Sequence, residues 1–530
     1  GRRQVLTSVA AGQVLRLKYE DAGQYSGLHV SSAEEPLLQA ATGQNGLEFV
    51  HRESPFNDFL QQPLLPHSFS RPGPGLAVGD LNGDGLEDVF IGGAKGQAGR
   101  LFFQQSGGSF ESRGLAEGVE AEDVDALIFD ANQDGANDLY VVSGGSEFPA
   151  GDKGYQDRLY VNDGKGGLRL APEALPDMPA SGSCVAAADL DGDGDLDLFV
   201  GGRVEPGQYP LPPRSYLLRN EGGVFSDVTA EVAPGLQRIG MVTDAAWAGP
   251  WLVLVGEWMA VTVFRNDNGR LVREDNEALA NSKGWWYSLA GGDFDEDGDT
   301  DFLLGNLGQN ASFKPSPSEP VRIYADDFDN NGSIDAVMSY YIQGVESPVH
   351  SRDMLFSQIP GLEKKYPRYG LYAEATLEQL FKKEALKKAY VLECNTFQSG
   401  YLENLGNGGF ALRPLPLACQ LAPVAAIACA DFNQDGHLDA LLAGNDHTPE
   451  VNTGRYDASV GQLLVGDGQG AFSPVGPMQS GFWVEGEVRG LQLSRKGDTG
   501  RYWILVAVNN DTLRIFEGGR QESKRNNTSI

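Results

Sequence analysis

Aspartates at every second position mark the stretch of this chain best suited to chemistry. Residues 189–197 read Asp-Leu-Asp-Gly-Asp-Gly-Asp-Leu-Asp, and an apolar run, Leu198 to Val200, comes directly after them. Carboxylates this close repel one another along a bare strand, but a loop wrapped around a hard cation turns them into ligands. Calcium takes six to eight oxygens, and Gly194 permits the sharp turn that brings them together. The stretch therefore predicts a calcium loop.

The same pattern occurs six times. Each copy has Asp or Asn at positions one, three and five, Gly at position six and Asp at position nine, and position seven is expected to offer its backbone carbonyl. The predicted ligands, loop by loop, are Asp80, Asn82, Asp84, Leu86 and Asp88; Asp130, Asn132, Asp134, Ala136 and Asp138; Asp189, Asp191, Asp193, Asp195 and Asp197; Asp293, Asp295, Asp297, Asp299 and Asp301; Asp327, Asp329, Asn331, Ser333 and Asp335; and Asp431, Asn433, Asp435, His437 and Asp439. The sequence thus predicts about six structural calcium ions.

An EF-hand is excluded by the residues on the C-terminal side of each loop. That motif needs a bidentate Glu at its twelfth position and flanking helices. The twelfth residues here are all apolar, namely Ile91, Val141, Val200, Leu304, Met338 and Leu442. Each loop instead leads into a short, β-prone apolar run, which indicates a buried strand.

The elements that position the loops are therefore strands in a repeated unit. The unit consists of an apolar strand, the loop, a second apolar strand, a variable connection, a third strand and a turn into a fourth, over about fifty residues, which is the period of a propeller blade. Two units, starting near Met241 and Val488, keep the strands but lack the acidic loop. We expect these two blades to hold no metal, and we expect Asp244 to be replaceable by Ala.

The predicted fold class is all-β, a propeller of seven four-stranded blades, although six or eight also fit the pattern. The Asp327 loop comes too soon after its predecessor to begin a blade, so it is placed in an elaborated fifth blade. A strand near Leu47 is expected to complete the last blade as a clasp. The units resemble FG-GAP/VCBS repeats, the calcium-loop blades of integrin α chains and of the cartilage acidic protein family. That resemblance implies the fold and the calcium, but the family is functionally mixed.

The same patterns set the expected domain boundaries. Residues 1–20 resemble the last strands of an ASPIC/UnbV domain, 21–43 form a linker, 44–520 form the propeller and 521–530 are a C-terminal tail. The chain is expected to be the C-terminal part of a longer secreted polypeptide. One helical insertion is predicted at about 338–394 in blade five, with a helix opening at Thr376 by a capping box.

The insertion is basic in an acidic chain. Between Gly361 and Tyr390 there are seven Lys or Arg residues and four Glu, whereas the whole chain has a formal net charge of −32. A solvated helix face and a contact surface for an acidic partner are both open interpretations.

Composition removes several classes of function. A net charge of −32 argues against nucleic acid as a partner. Four cysteines in 530 residues make no disulfide framework, although Cys419 could pair with Cys429 or Cys394. No stretch is long and apolar enough to span a membrane.

Six histidines show no paired zinc spacing, and no catalytic constellation is visible, so we predict that the protein is not an enzyme. Trp285 or Trp286 could line a sugar-binding surface.

The sequence predicts a non-catalytic, extracellular or cell-surface calcium-binding propeller that acts in binding, adhesion or assembly. The expected partner is a protein or a glycan at the cell surface or matrix, or further copies of the chain. Two alternatives remain open. One is a glycan-binding or glycan-processing module with a site at the propeller channel, and the other is a subunit of an extracellular filament or matrix.

Overall fold

The computed structural model describes residues 35–519 except 116, 407 and 498, together with residues 2–3, 18, 20 and 23–24. The chain divides into two units, Gly1–Pro36 and Leu37–Ile530. In the first unit, Arg2–Arg3 pairs antiparallel with Gly23–Gln24. The ASPIC/UnbV-like stretch lies almost entirely outside the described residues, as does the tail at 521–530. Those two expectations stay predictions.

The second unit contains seven blades of four antiparallel strands. Within each blade the strands are numbered from the channel outwards. Blade one has strands Leu76–Gly79, Asp88–Ile91, Arg100–Gln104 and Phe110–Gly114; blade two, Glu122–Phe129, Asp138–Gly144, Arg158–Asn162 and Leu168–Leu170; blade three, Ser181–Ala188, Asp197–Val204, Tyr216–Glu221 and Val224–Asp227; blade four, Met241–Ala248, Trp251–Met259, Thr262–Asn266 and Leu271–Glu274. Blade five has Gly284–Gly292, Asp301–Asn306, Gly400–Asn404 and Phe410–Pro414; blade six, Val424–Ala430, Asp439–Gly444, Gln462–Gly466 and Phe472–Val475; and blade seven, Val488–Arg495, Tyr502–Val508, Arg514–Gly518 and Gln39–Ala40.

Burial explains why the second strands are mostly apolar after their first residue. Each one is sandwiched between its own blade neighbours and the sheets of adjacent blades, so every residue of Asp88–Ile91 and Asp301–Asn306 is buried. First strands mix buried and half-buried residues, which alternate along Val424–Ala430, because one face lines the channel. The prediction of seven four-stranded blades is confirmed. The blades without an acidic loop, four and seven, have the expected strands.

The ring closes through a clasp. First strands contact one another in sequence from blade one to blade seven, and the seventh contacts the first. Gln39–Ala40 supplies the outermost strand of blade seven by pairing with Glu517 and Phe516. Leu47, the residue near which the clasp was expected, packs in the core between blades one and seven. The propeller therefore begins at Leu37, earlier than the expected start at residue 44.

The insertion is larger than predicted and carries a sheet of its own. It lies between the second and third strands of blade five, and its strands pair in the order Val345–Pro348, Asp335–Ile342, Val321–Asp326 and Tyr390–Cys394. The Asp327 loop joins two of these strands, so it belongs to the inserted sheet and not to the blade. The expected limits, 338–394, begin too late because the first inserted strand has the same apolar pattern as a blade strand.

Short helices complete the structure. The α-helices are Thr229–Val232, Arg352–Gln358, Tyr369–Ala373, Leu377–Leu380, Lys383–Lys388 and Pro477–Ser480, and the 3-10 helices are Asp58–Leu60, Lys153–Tyr155, Pro172–Ala174, Pro234–Leu236, Glu277–Leu279, Pro360–Lys364 and Leu417–Gln420. The capping box at Thr376 forms with Gln379, but the helix is split in two at Phe381. No described helix has the length and apolar character needed to cross a bilayer.

Residues 51–75, here called the plug segment, cover one end of the channel. His67, Phe69 and Arg71 from this segment face first-strand residues of several blades around a shared cavity. The acidic loops come after the C-terminal ends of the first strands, whereas the plug segment lies at the opposite ends. The acidic loops and the plug segment therefore lie on opposite faces of the propeller.

Candidate metal centres

Each acidic loop is folded by its own side chains. The first Asp accepts a hydrogen bond through Oδ2 from the N–H of the Gly at position six, at 2.8–3.2 Å in all six loops. These glycines have φ between 84° and 98°, the left-handed region that other residues rarely adopt. The residue at position five accepts from the N–H of position seven at 2.7–3.1 Å. The turn that the sequence requires is therefore present in every copy.

The ninth residue of each loop is a buried Asp that the backbone holds through both oxygens. Oδ2 accepts from the N–H of loop position two at 2.9–3.3 Å. In the five blade loops, Oδ1 accepts from an N–H near the end of the third strand at 2.8–3.1 Å. In the inserted sheet, Gln358 donates instead at 2.7 Å. This Asp therefore ties the loop to the blade whether or not it also binds a cation.

Burial raises the pKa of these ninth-position carboxyls. The pKa of Asp88 and of Asp197 rises to about 6, and that of Asp138, Asp301, Asp335 and Asp439 rises in the same direction. The backbone donors oppose this shift, and the neighbouring loop carboxylates add to it by repulsion. A bound cation would offset both the burial and the repulsion.

The donor sets fit a hard cation. In three loops, carboxylate oxygens lie within 4.8 Å of one another, namely those of Asp189, Asp191 and Asp197, of Asp293, Asp295 and Asp297, and of Asp327, Asp329 and Asp335. In the loop of blade five, Asp293 and Asp299 each have a buried Oδ1 without a hydrogen-bond partner. The other three loops have Asn at position three, which offers an amide oxygen in place of a carboxylate. Aspartate-rich, all-oxygen sets of this kind suit calcium.

Asparagines at the ends of third strands were missed by the sequence prediction. Asn162 of blade two donates to the carbonyl of Leu81 in the blade-one loop at 2.7 Å, and Asn220 of blade three donates to Ala131 in the blade-two loop at 2.8 Å. Asn266 of blade four repeats the contact with Leu190 at 2.7 Å. Each of these loops is thus clamped by the next blade. The signal in the sequence is an Asn before the glycine-containing turn that ends each of these strands.

Asp244, in a blade without an acidic loop, has a different role from the one expected. It lies on the first strand of blade four and accepts from the N–H of Leu289 on blade five at 2.8 Å, as well as from Ala245 at 2.8 Å. Burial raises its pKa to about 7. Asp125 makes the equivalent contact from blade two to Val185 on blade three at 2.9 Å. The expectation that Asp244 is replaceable is therefore wrong, because it links two blades.

The channel contains a polar cavity of about 190 Å³ beneath the plug segment. Its lining includes the two bridging carboxylates, Asp125 and Asp244, and the cations His67, Arg203 and Arg489. His67 and Arg203 both contact the buried Glu257, at 3.1 and 2.6 Å. These charges hold the plug segment to the blades, and they also leave a polar chamber large enough for a few waters or a small ligand.

The remaining candidates belong to the core. Trp285 and Trp286 are 4 % and 1 % exposed, so the sugar-binding surface expected of them does not exist. All four cysteines are free thiols, and neither proposed pairing of Cys419 is made. His437 extends from its loop to Glu296 in the loop of blade five, with Nδ1 2.6 Å from the carboxylate.

Comparison with known proteins points to the same repeats. A family model described as FG-GAP-like repeat matches residues 80–141 and 130–200, which contain the first three acidic loops. The loops at Asp293, Asp327 and Asp431 share the same hydrogen bonds. Residues 80–200 are therefore similar to FG-GAP-like repeats, and the described part of the chain is a seven-bladed β-propeller. A comparison with curated proteins gives no match.

Solved structures resemble this propeller over most of its length at low identity. They include a BBS1N–ARL6DN complex soaked with mercury (12% identity, 90% of this chain and 98% of the other, TM-score 0.38) and the biofilm matrix protein Bap1 of V. cholerae (11%, 91% and 91%, 0.32). Sqt1 of Saccharomyces cerevisiae is a third (10%, 86% and 99%, 0.40). The identification of the propeller relies on its repeats and its seven blades.

Proposed function

We propose that this propeller is a non-catalytic extracellular binding, adhesion or assembly module in which calcium has a structural role. The observation that carries the proposal is the convergence of carboxylates in loops that all share the same backbone hydrogen bonds. These loops are exposed at their tips and anchored at a buried Asp. A cation there would fix one face of the propeller without taking part in a reaction.

Calcium dependence is the first test. Each occupied site adds RT ln(1 + [Ca]/Kd) to the free energy of unfolding, about 2.7 kcal/mol when calcium is a hundredfold above Kd. The melting temperature should therefore rise by many degrees when calcium is added to chelated protein. Asp193→Ala should reduce this increment, whereas Asp177→Ala, a change of the same kind at an exposed position outside the loops, should leave it intact. Equal melting temperatures with calcium and with chelator would contradict the proposal.

The partner surface that we favour is the basic face of the insertion. Lys387 and Lys388 are exposed at the end of helix Lys383–Lys388 and make no ion pair among the described residues. The helices themselves form a core with Val337 of the inserted sheet and Leu64 of the plug segment, so they are a folded part of the protein. A rigid basic face on an acidic protein is suited to an acidic protein or a sulfated glycan.

Charge reversal tests this surface without deleting the core. Changing Lys387 and Lys388 to Glu should lower the salt concentration at which the protein elutes from immobilised heparin, used here as an acidic probe. The matched control is reversal of Lys153 and Lys165, which are exposed in blade two. Identical elution of the two double variants would leave the insertion as an ordinary solvated surface.

A small-ligand or glycan-processing site in the channel is the second candidate, because the cavity beneath the plug segment is lined by charged groups. The two channel aspartates already have a role in joining blades, which favours the binding-module proposal. A screen against glycans and hydrolase substrates separates the two. Turnover that Asp125→Asn abolishes while the calcium increment persists would favour the enzyme.

A further inference from the structure

A second group of carboxylates lies on the face opposite the acidic loops. Glu122 is the first residue of blade two's first strand, Glu53 comes from the plug segment and Glu147 comes shortly after blade two's second strand. Glu122 is fully buried and the Glu53 side chain is 2 % exposed. Strand Glu122–Phe129 separates this group from the Asp130 loop by roughly 25 Å, at about 3.3 Å per residue. The group is therefore distinct from the loop sites.

No basic side chain is paired directly with these carboxylates among the described residues, although Arg71 and Arg489 attract Glu53 and Lys95 attracts Glu147 over longer distances. Across the described part of the chain, no Lys or Arg nitrogen lies within 4.0 Å of Glu53, Glu122 or Glu147. Among the described residues, the basic group within this distance is His51, whose Nδ1 is 3.8 Å from Oε1 of Glu53. Buried carboxylates without a directly paired counter-charge are costly, which favours the binding of protons or of a cation by this group.

Each carboxylate is held through one oxygen and presents the other. The N–H of Lys95 donates to Oε2 of Glu122 at 2.8 Å, and the hydroxyl of Ser54 donates to Oε1 of Glu147 at 3.0 Å. The amide of Asn509, just after blade seven's second strand, donates to Oε1 of Glu53. The buried atoms left without a hydrogen-bond partner are Oε2 of Glu53, Oε1 of Glu122, Oε2 of Glu147, Oδ1 of Asn509 and Nε2 of His51.

Gly73 shows that two of these unpartnered atoms face the same space. A Cβ placed on Gly73 would lie 2.9 Å from Oε1 of Glu122 and 3.5 Å from Nε2 of His51. The histidine is 1 % exposed, so its ring nitrogen is aimed into the protein and towards the carboxylates. Ligand atoms of His51, Glu53 and Glu122 all lie within 4.8 Å of one another. That spacing suits two oxygens on one calcium ion at about 2.3–2.6 Å each.

We propose that Glu53 and Glu122, with Glu147 and Asn509 beside them, bind a divalent cation between the plug segment, blade two and blade seven. The N–H of Asn510 donates to Nδ1 of His51 at 3.1 Å, which assigns the proton of the neutral ring to Nε2. His51 is then a donor to a carboxylate or to a metal-bound water and not a ligand. The remaining donors are all oxygens, which selects calcium over zinc.

The proposed ion would reinforce the closure of the ring. Blade one lies between blades seven and two, and all three meet the plug segment at this place. The site belongs to the face that the acidic loops do not reach.

A count of bound calcium tests the proposal. Full-length protein at pH 8 is dialysed against CaCl2, and bound calcium per chain is measured for the wild type, for Glu53→Gln/Glu122→Gln and for Glu111→Gln, an exposed carboxylate on blade one. The double variant should lose one equivalent, and the control should match the wild type. Equal counts in all three would overturn the proposal. Asp193→Ala tests an acidic loop separately, so the absence of calcium from the loops can be distinguished from its absence at Glu53 and Glu122.

A direct measurement covers the case in which the double variant does not fold. Wild-type crystals soaked in MnCl2 should show an anomalous peak between the carboxylates of Glu53 and Glu122. Peaks at the acidic loops but none at this position would overturn the proposal and show that protons neutralise the group.

Discussion

At the scale of single residues, the ninth Asp of each loop combines a backbone role with a proposed metal role, and the two can be separated. In blade two, Asp138 accepts from Ala131 and Asn162, both buried, whereas Asp134 at position five is exposed. Asp138→Ala should cost about 1–3 kcal/mol per stranded donor even in metal-free buffer. Asp134→Ala should be within about 0.5 kcal/mol of the wild type there and destabilise only with calcium. Urea unfolding under both conditions measures this, and equal losses without metal would contradict it.

Asp244 gives a second test at this scale. Asp244→Ala leaves the buried N–H of Leu289 without its acceptor, so we expect a loss of about 1–3 kcal/mol in the free energy of unfolding. Asp275→Ala, an exposed change in the connection between the same two blades, should have little effect. The sequence could not show this role of Asp244, because its partner lies on a neighbouring blade. Loop ligands could be predicted because all of them lie within nine residues.

At the scale of elements, the clasp supplies a matched pair of neighbouring leucines. Leu38 is 1 % exposed and packs with Phe482 and Phe516, whereas Leu37 is 37 % exposed. Leu38→Ala should lower the free energy of unfolding by about 2–5 kcal/mol. Leu37→Ala should cost roughly 0.5 kcal/mol, as for other surface changes. Denaturant titration of the two variants checks this, and similar losses would mean that the clasp does not bury Leu38.

The asparagine clamps are a further prediction about elements. Asn220→Ala removes donors to Ala131 and to Leu196, so blade three should separate more easily from the blade-two loop, with a loss of about 1–3 kcal/mol. Asn281→Ala, at an exposed position, serves as the control. Hydrogen exchange should be faster in the Asp130 loop of Asn220→Ala alone. Unchanged exchange there would show that the clamp does not hold the loop.

Element prediction succeeded where strand, loop and strand are contiguous, and failed at the insertion. Strands Val321–Asp326 and Asp335–Ile342 flank an acidic loop just as blade strands do. Their apolar pattern indicates that they are buried, but it does not indicate which sheet they belong to. The sequence correctly predicted that an N-terminal strand completes the last blade, but it placed that strand near Leu47. A two-residue strand such as Gln39–Ala40 is too short to show a periodic pattern that would locate it.

At the scale of the whole molecule, calcium and pH should act in opposite directions. The folded-state pKa of Asp88 and Asp197 is about 6 and that of Asp244 about 7, above the unfolded value of about 3.9. The folded protein then binds more protons between about pH 4 and pH 7, so the stability of metal-free protein should fall as pH rises through that window. Calcium binds the deprotonated loops, so the calcium-induced rise in melting temperature should be larger at pH 8 than at pH 5. Equal increments would contradict this coupling.

The pairing of Gln39–Ala40 with Arg514–Gly518 also bears on how the polypeptide is made. Because Gln39 has its partner at Glu517, the clasp strand is made early but has no partner until Arg514–Gly518 has been synthesised. Ring closure is a contact of very large sequence separation and should be a late event in folding. The same adjacency makes circular permutation feasible, with a short linker from residue 519 to residue 37 and new termini in an exposed turn between blades. In such a permutant the clasp becomes a local hairpin.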